Sequence, residues 1–354
     1  MKPNLKFFKN SKRLPVDKFL NNVLYDNKFG YYSSRFPFGD KGDFITSPKI
    51  SHLFSEMIAI WIVTSWESFG KPQNFNIVEL GPGDGSLTNV LLRSFKKFPE
   101  FDLIKRIFLY EKSPYLRKIQ KKNILNKKVK WINNFQSIKK GPVIFFGNEF
   151  FDAIPIKQFK KMKNTLFEKN YSLNKNYGID EIFKKASSND TKKIKSFKSL
   201  QKLKFIEFPK FGLKEIEKVI NKISTLKGCI MLIDYGYLKP NNQNTLQSVI
   251  KHKKNQLLKN LGRADITAHV NFTLLNEFFS KNGLKIKNVI TQREFLENMG
   301  IYKRAEILTR KMKFSEQSDL YLRIKRLLSP RSMGGLFKVI MAYNCNHNNF
   351  MGFK

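Results

Sequence analysis

A chain of 354 residues is long enough for one large domain or for two smaller ones, each with its own core. Hydrophobic residues make up 41% and charged residues 27%, as is typical of soluble proteins, and no stretch approaches the roughly 20 apolar residues of a membrane helix. Two cysteines are too few for a disulfide framework or a metal cluster, so we expect no metal site and a reducing compartment such as the cytoplasm.

The formal net charge of +38 would attract an anionic partner. Lysine dominates over arginine along the chain, whereas base recognition and base stacking favour arginine. We therefore favour a solvated basic surface over a dedicated nucleic-acid site.

The first 70 residues are predicted to be helical around a central loop. This loop, rich in Gly, Tyr and Asp, runs from Gly30 to Pro48, and the pair Ser47-Pro48 is suited to cap and start a helix. Apolar residues follow at helical spacing, so one face of that helix must be buried. They are Ile50, Leu53, Phe54, Met57, Ile58 and Trp61.

Short apolar strands alternate with helices from about residue 75 to residue 153. The candidate strands are Asn76–Leu80, Ile107–Glu111, Val129–Ile132 and Pro142–Phe146, and the candidate crossover helices are Leu87–Phe98 and Pro114–Lys122. Runs of this kind suit strands that are buried on both faces of a parallel sheet. The alternation predicts a doubly wound α/β fold.

Apolar density drops and lysines become frequent between residues 155 and 227. We interpret this region as an insertion with a hairpin over residues 159–170 and a weakly ordered helical stretch over residues 184–204. The sheet is predicted to resume at Gly228–Tyr235 and to end with Lys285–Thr291 and Phe337–Tyr343. Residues 71–354 would then form one Rossmann-like domain with an insertion after its fourth strand.

The segment Glu79-Leu80-Gly81-Pro82-Gly83-Asp84-Gly85 lies where the first strand gives way to a helix. Glycines there let the backbone approach a ligand, and in dinucleotide-binding proteins this place meets a pyrophosphate. Here Glu79 precedes the first glycine by two positions, where a carboxylate would repel phosphate and attract an amino group. The pattern predicts S-adenosylmethionine as cofactor, bound by Glu79, Gly81, Gly83 and Gly85. The alternative is a strand-to-helix turn with incidental glycines.

Glu111 ends the next predicted strand. A carboxylate at that strand end is placed to accept hydrogen bonds from both ribose hydroxyls of a cofactor. We therefore predict Glu111 as a cofactor-binding residue, with an ordinary surface glutamate as the alternative.

The fourth strand is followed by Asn148, Glu149 and Asp152, which we predict to be the catalytic residues. In open α/β sheets ligands bind at the carboxyl ends of the strands, so this run would face the transferred methyl group. Two carboxylates beside the aromatic pair Phe150-Phe151 suit a planar cation, because a guanidinium pairs bidentately with carboxylate and stacks on rings. The alternative is that Glu149 or Asp152 caps the following helix.

A series of segments in order along the chain resembles the MidA-like family of S-adenosylmethionine-dependent methyltransferases. Beyond the glycine loop, the matching segments are Gly30–Tyr32, Gly42–Pro48, Asn148–Pro155, Leu232–Gly236, Asp265–Phe272 and Met333–Val339. Such a series is far more specific than one glycine loop. The chain departs from the family at Lys49, where Glu is usual, at Ser55, where Gly is usual, and at residues 261–263, where a Pro-Gly pair is usual.

The resemblance implies a class I methyltransferase fold, S-adenosylmethionine as cofactor and protein arginine as substrate, since mitochondrial members methylate arginine in respiratory complex I assembly. It also implies that residues 1–70 form a lid in which Thr46 and Ser47 lie over the cofactor. In a eukaryote it implies the mitochondrial matrix. Two alternatives stay open: a nucleic-acid methyltransferase, motivated by the net charge, and a non-catalytic assembly factor on the same fold.

Overall fold

The computed structural model describes residues 4–37, 39, 42–43, 46–239 and 241–353. Phe44 and Ile45 of the predicted Gly42–Pro48 motif lie outside the described residues. The strands, in chain order, are β1 (Arg13–Pro15), β2 (Phe75–Leu80), β3 (Lys105–Tyr110), β4 (Val129–Ile132), β5 (Val143–Asn148), β6 (Lys157–Met162), β7 (Thr165–Leu173), β8 (Ile179–Lys185), β9 (Phe205–Phe208), β10 (Gly228–Tyr237), β11 (Gln247–Ile250), β12 (Lys253–Asn255), β13 (Asp265–Thr267), β14 (Val270–Asn271), β15 (Lys285–Ile286), β16 (Ile290–Thr291) and β17 (Phe337–Asn344).

The helices follow the same numbering by chain order. They are α1 (Leu5–Phe8), α2 (Val16–Tyr25), α3 (Tyr31–Ser34), α4 (Ser47–Ile50), α5 (His52–Ser68), α6 (Ser86–Phe95), α7 (Pro99–Ile104), α8 (Pro114–Asn123), α9 (Ser188–Lys195), α10 (Lys210–Leu226), α11 (Phe272–Lys281), α12 (Gln292–Asn298), α13 (Ile301–Thr309), α14 (Phe314–Leu328) and α15 (Met333–Leu336). None of the described helices has both the length and the hydropathy needed to cross a membrane.

The chain divides into two compact units. The parallel-sheet unit comprises the described residues of 45–150, 218–236 and 282–354. The antiparallel unit comprises those of 1–44, 151–217 and 237–281. The first 44 residues therefore share a unit with the region that follows β5.

The central sheet of the parallel-sheet unit has the strand order β15-β17-β10-β5-β2-β3-β4. The strands from β4 to β10 are parallel to their neighbours, and β17 is antiparallel to β10. From β2 the chain moves outward to β3 and β4, and it then returns to add β5 and β10 on the other side of β2. The predicted doubly wound, mostly parallel sheet is therefore confirmed.

Most predicted strands of this sheet are confirmed within two residues at each end. The exception is Lys285–Thr291, which forms the two short strands β15 and β16. Ile286 pairs with Ala342 and Ile290 with Val339. The segment from Ile286 to Ile290 is therefore one residue longer than the segment of β17 that it faces. The extra residue is a bulge that interrupts the predicted strand.

The predicted helix starting at Ser47-Pro48 is wrong as one continuous helix. It consists of α4 and α5, separated by Ser51 in an extended conformation with φ of −151°. The Ser51 hydroxyl accepts a hydrogen bond from the Leu53 N–H at 3.2 Å and thereby caps α5. A serine favours this capping geometry over a helix interior, because its side chain replaces a missing backbone partner.

The antiparallel unit contains the five-stranded sheet β1-β7-β6-β9, with β8 on β7, and the three-stranded sheet β12-β11-β13. The predicted hairpin over residues 159–170 is confirmed as β6 and β7. The helical stretch predicted over residues 184–204 is wrong at its start, where Lys185 still pairs with Phe167. Its helical part consists of α9 and a short 3₁₀ turn at Lys198–Leu200. The N-terminal region predicted as helical contributes β1, which pairs with β7.

Candidate active site

The carboxyl ends of the parallel strands lie at one edge of the sheet. Leu80, which ends β2, is paired with Tyr110, which ends β3, and Glu79 is paired with Phe146 near the end of β5. The chain changes direction across the sheet between β2 and β5, and ligands of open α/β sheets bind in the crevice at such a point. The loops that follow β2, β3 and β5 therefore meet where a cofactor is expected.

The glycine loop after β2 depends on backbone conformations that favour glycine. Gly81, Gly83 and Gly85 have φ of 64°, 58° and 83°, all in the left-handed region. A Cβ at Gly81 would lie 3.0 Å from Phe150 Cδ2, and a Cβ at Gly85 would lie 2.7 Å from Ile124 Cδ1. The loop after β2 thus touches the loop after β5 at Gly81, and side chains on these glycines would fill the space.

Glu79 is buried at the end of β2, and its carboxylate accepts a hydrogen bond from the Thr88 hydroxyl on α6. Burial raises the pKa of Glu79 to about 7; the Thr88 hydrogen bond opposes this rise, and the Asp84 charge adds to it. A cation bound beside Glu79 would favour the ionised carboxylate. These features suit the amino group that the sequence predicts as the ligand of Glu79.

Glu111, the first residue after β3, is buried with both carboxylate oxygens hydrogen-bonded. Oε1 accepts from the Ser113 N–H at 2.7 Å, and Oε2 accepts from the Gln120 side-chain amide at 3.3 Å. Burial raises the pKa of Glu111, and these two hydrogen bonds oppose the rise. The carboxylate therefore has a fixed orientation at the sheet edge.

Gln120, a fully buried residue of α8, is not among the residues predicted from the sequence. Its side-chain amide also donates to the Gly83 carbonyl at 2.8 Å and accepts from the Trp131 indole N–H at 2.9 Å. The available signal is that Gln120 interrupts an apolar stripe at helical spacing, between the buried residues Leu116 and Ile124. A single polar residue on a buried helix face requires partners for its polar atoms.

Asn148 and Glu149 follow one another at the end of β5. The Asn148 amide donates to Glu149 Oε1 at 3.0 Å, and the Glu149 N–H donates to the Ile233 carbonyl on β10 at 2.9 Å. Glu149 has φ of 51°, in the left-handed region that residues other than glycine adopt only at a cost in free energy. Asn148 Oδ1 is buried and has no hydrogen-bond partner among the described residues, so it is open to a donor from a ligand.

The predicted cofactor residues Thr46 and Ser47 lie at the start of α4. Ser47 is buried, and its hydroxyl donates to Gln292 Oε1 on α12 at 3.3 Å. Two residues further on, Lys49 Nζ lies 2.8 Å from Asp84 Oδ2 in the glycine loop. The family departure at residue 49 therefore places a cation against this loop, while a direct role of Thr46 or Ser47 in cofactor binding stays a prediction.

Asp152, the third predicted catalytic residue, belongs to the antiparallel unit, where it is buried. It lies in electrostatic range of Tyr32 and Asp265. The Tyr32 hydroxyl donates to Asp265 at 2.8 Å, and the Tyr31 hydroxyl donates to Asp43 at 2.6 Å. We call these five residues the acid–tyrosine cluster; its members come from four of the segments that carry the family resemblance.

Burial raises the pKa of Asp265 in this cluster to about 7. The Tyr32 hydrogen bond opposes the rise, and the charges of Asp152 and Asp43 add to it. Several buried carboxylates in one cluster cost free energy unless a cation accompanies them, and a bound cation would favour their ionised forms. The cluster is therefore suited to a cationic group.

The residues of the parallel-sheet unit fit S-adenosylmethionine on two structural observations. The glycines in left-handed conformation leave a space without side chains, and a Cβ at Gly81 would enter that space. The buried Glu79 carboxylate offers an acceptor for an amino group at the same sheet edge. Glu79 and Glu111 would then receive the amino group and the ribose hydroxyls, as the sequence predicts.

A family model described as "Putative S-adenosyl-L-methionine-dependent methyltransferase" matches residues 57–290. Among curated relatives, the protein arginine methyltransferase NDUFAF7, mitochondrial, of Xenopus tropicalis is 29% identical and covers 93% of this chain, with 82% of the relative covered. The NDUFAF7 homolog of Caenorhabditis elegans is 30% identical, with coverage of 92% and 82%. The human protein is 29% identical, with coverage of 93% and 80%.

Two solved structures from Burkholderia thailandensis share the fold. One, bound to S-adenosyl-homocysteine, has a TM-score of 0.83 at 21% identity and covers 99% of this chain, with 92% of that chain covered. The other, a native structure, has a TM-score of 0.81 at 20% identity and the same coverage. These likenesses confirm the predicted class I methyltransferase fold, and the family model and the relatives confirm the resemblance found in the sequence.

Proposed function

Because the chain belongs to this family of S-adenosyl-L-methionine-dependent methyltransferases, we propose that it methylates the guanidinium group of arginine side chains in a protein. The observation that carries the proposal is the Glu149 carboxylate, fixed at the end of β5 beside Phe150, which touches the glycine loop at Gly81. A carboxylate and an aromatic ring in this place suit a planar cation. The names of the curated relatives support the same substrate class.

The bound cofactor supplies an electrophilic methyl group on a sulfonium, so the protein mainly has to orient the nucleophile and exclude water. Glu149 accepts two N–H bonds from the guanidinium and takes the proton that the methylated nitrogen releases. Asn148 Oδ1 accepts a further N–H at the same sheet edge, since it is buried and has no partner among the described residues. The Asn148 amide holds Glu149 Oε1 in place.

Asp152 keeps its proposed catalytic role as a second carboxylate for the cationic substrate. Its support comes from the antiparallel unit, where Asp152, Asp43 and Asp265 are all buried. A guanidinium would offset the mutual repulsion of these groups. A lysine ammonium would do so less well, because it lacks the planar fork that pairs with a carboxylate.

Nucleic acid is the second candidate substrate, because the chain carries a formal net charge of +38. To distinguish the two substrates, the full-length protein is incubated with methyl-labelled S-adenosylmethionine and an extract of cells that lack this protein. We expect label that protease removes and nuclease leaves, and that runs as methylarginine after acid hydrolysis. Label in nucleic acid, in another amino acid or in no fraction would contradict the proposal.

The matched control uses two glutamate-to-glutamine changes in the same unit. Glu149→Gln should abolish most of the methylarginine. Glu306→Gln removes a carboxylate from an exposed pair with Arg310 on α13 and should leave the yield unchanged. Equal loss in both variants would point to general damage and count against the assigned role of Glu149.

A further inference from the structure

Gln120 connects three parts of the cofactor region through one side chain. It lies on α8, is fully buried, and follows the glycine loop by more than thirty residues in the chain. One amide N–H points to the Gly83 carbonyl at 2.8 Å and the other to Glu111 Oε2 at 3.3 Å. Its oxygen accepts from the Trp131 indole at 2.9 Å.

The orientation of this amide is determined by its partners. An indole nitrogen is only a donor, so the oxygen of Gln120 must face Trp131. Both amide protons then face acceptors, the Gly83 carbonyl and the Glu111 carboxylate. All three positions of the amide are thus used, and neither glutamate nor an apolar side chain of the same length offers two donors and one acceptor.

We infer that Gln120 is a positioning residue for the cofactor, which sets the glycine loop and the ribose carboxylate in their binding geometry at the same time. The inference rests on the cofactor placement proposed above. A hydrogen bond from the amide also favours the ionised form of Glu111, which is the form that accepts from two hydroxyls. Gln120 itself is not proposed to touch the reacting atoms.

The packing around α8 supports this role. A second residue of the helix, Asn123, donates to the Asp84 carbonyl at 2.9 Å, so two successive turns of α8 hold the glycine loop. Ile124 would meet a Cβ at Gly85 at 2.7 Å. The loop conformation is therefore supported from one side by α8, and Gln120 is the part of that support that also reaches Glu111.

The test measures the dissociation constant of S-adenosyl-homocysteine by calorimetry from pH 5.5 to pH 8.5. Gln120→Glu keeps the shape but removes both donors and sets a second carboxylate beside Glu111. At pH 8.5 we expect affinity to fall by about tenfold to hundredfold, the range for lost hydrogen bonds to a charged group. As pH falls, a proton shared by the two carboxylates restores one donor, so the ratio of variant to wild-type constant should shrink.

Several other charged groups lie around this position. Besides Glu111 they are Arg117, whose Nε donates to the Glu111 carbonyl, Lys121, whose Nζ lies 5.7 Å from the Trp131 ring, and Asp84, which pairs with Lys49. These are common to both proteins and cancel in the ratio. Gln120→Met should weaken binding with no recovery as pH falls, because methionine has no group that takes up a proton and restores a donor.

Gln158→Glu is the matched control. Gln158 is also fully buried, and its amide also donates to a buried carboxylate, Glu207, at 2.9 Å, but it belongs to the antiparallel unit. The Gln158→Glu variant should lower the melting temperature in the same way as Gln120→Glu. Its dissociation constant for S-adenosyl-homocysteine should stay within twofold of the wild-type value. A gentler probe, Trp131→Phe, removes only the indole donor and should weaken binding by about threefold to tenfold.

Wild-type affinity of Gln120→Glu at pH 8.5, or a ratio for this variant that does not shrink as pH falls, would overturn the inference. If Gln120→Glu does not fold, unchanged affinity of Trp131→Phe would overturn it. Glu111→Ala distinguishes a failure of the Gln120 role from a failure of the cofactor placement. This variant should weaken binding of S-adenosyl-homocysteine by about tenfold to hundredfold. If Glu111→Ala binds normally, the placement itself fails; if only the Gln120 and Trp131 variants bind normally, the placement stands and the role of Gln120 fails.

Discussion

The glycine loop and the acid–tyrosine cluster are built in opposite ways. The loop is one contiguous stretch, and its form depends on left-handed backbone at three glycines. The cluster gathers side chains from residues 31–32, 43, 152 and 265, and its form depends on burial and on hydrogen bonds between tyrosines and carboxylates. A feature formed by adjacent residues can be predicted from one sequence. A cluster formed by distant segments can be identified only once the fold is known.

The two regions also differ in how they treat negative charge. In the loop, Asp84 has a cation of the protein, Lys49, at 2.8 Å. In the cluster, the donors found for Asp43 and Asp265 among the described residues are tyrosine hydroxyls and backbone N–H groups. Such donors stabilise a carboxylate without neutralising it. An added cation should therefore stabilise the cluster more than the loop.

The largest effect is expected from Gly81→Val, which tests the backbone side of the comparison. Valine would be strained at φ of 64°, and its Cβ would lie 3.0 Å from Phe150 Cδ2. We expect no detectable S-adenosyl-homocysteine binding in calorimetry and an unchanged circular dichroism spectrum. Gly70→Val carries similar backbone strain, at φ of 82° and with open space around it, and should bind normally. Binding by folded Gly81→Val would remove the loop from the cofactor site.

Glu149→Gln should lower the methyl-transfer rate by about thirtyfold to thousandfold and leave cofactor affinity nearly unchanged. The amide keeps the shape and can still accept from Asn148, but it turns a donor toward the donors of the guanidinium. The range corresponds to about 2–4 kcal/mol in the activation barrier. Single-turnover kinetics on an arginine substrate measure it. A wild-type rate would reject the carboxylate mechanism and leave the methyltransferase assignment intact.

Asp265→Asn tests the charge of the cluster through pH. The pKa of Asp265 is about 7 in the folded protein, above the ordinary carboxyl value of about 4. Between these two pH values Asp265 holds a proton in the folded state that it lacks in the unfolded state. Its contribution to the free energy of unfolding is therefore complete below about pH 4 and is lost as pH rises through about 7.

Relative to wild type, the free energy of unfolding of Asp265→Asn should therefore rise from pH 5 to pH 8, by on the order of 1–3 kcal/mol. Urea unfolding at both pH values measures the difference. If the free energies of unfolding of the two proteins change with pH in the same way, the Asp265 carboxyl is not protonated in the folded state.

The smallest effect is expected from Lys49→Met, which removes the cation of the loop. The Lys49–Asp84 pair is partly buried, so its loss should lower the free energy of unfolding by about 1 kcal/mol. Lys71→Met is the control, since Lys71 is more than half exposed in its pairs with Glu67 and Glu100 and should contribute almost nothing. Equal stability of the two variants would mean that the Lys49 pair does not support the loop.

The sheet was predictable because its strands are short apolar runs, and β4 matches the predicted Val129–Ile132 at both ends. The bulge between β15 and β16 was not, because it results from pairing with β17 rather than from local sequence. The break at Ser51 was missed for a different reason. The helical spacing of apolar residues continues across it, while the serine cap acts on the backbone alone.

The candidate site follows the same division. Glu79, Glu111 and Glu149 were found because each stands at a strand end, a position that the sequence reveals. Gln120 was missed because its partners come from a preceding loop, a strand end and a following strand, which no local pattern connects. Tyr31 and Tyr32 were seen only as part of a family segment. Their hydrogen bonds to Asp43 and Asp265 give these residues a physical role.

The placement of β17 has a consequence for how the chain is made. The last strand in the sequence lies between β10 and β15, so it completes the sheet from the inside rather than at its rim. During synthesis, β10 keeps an unpaired edge until more than ninety further residues have left the ribosome. The nascent protein is thus exposed to edge-to-edge aggregation while these residues are synthesised, and a premature stop before residue 337 leaves that edge open.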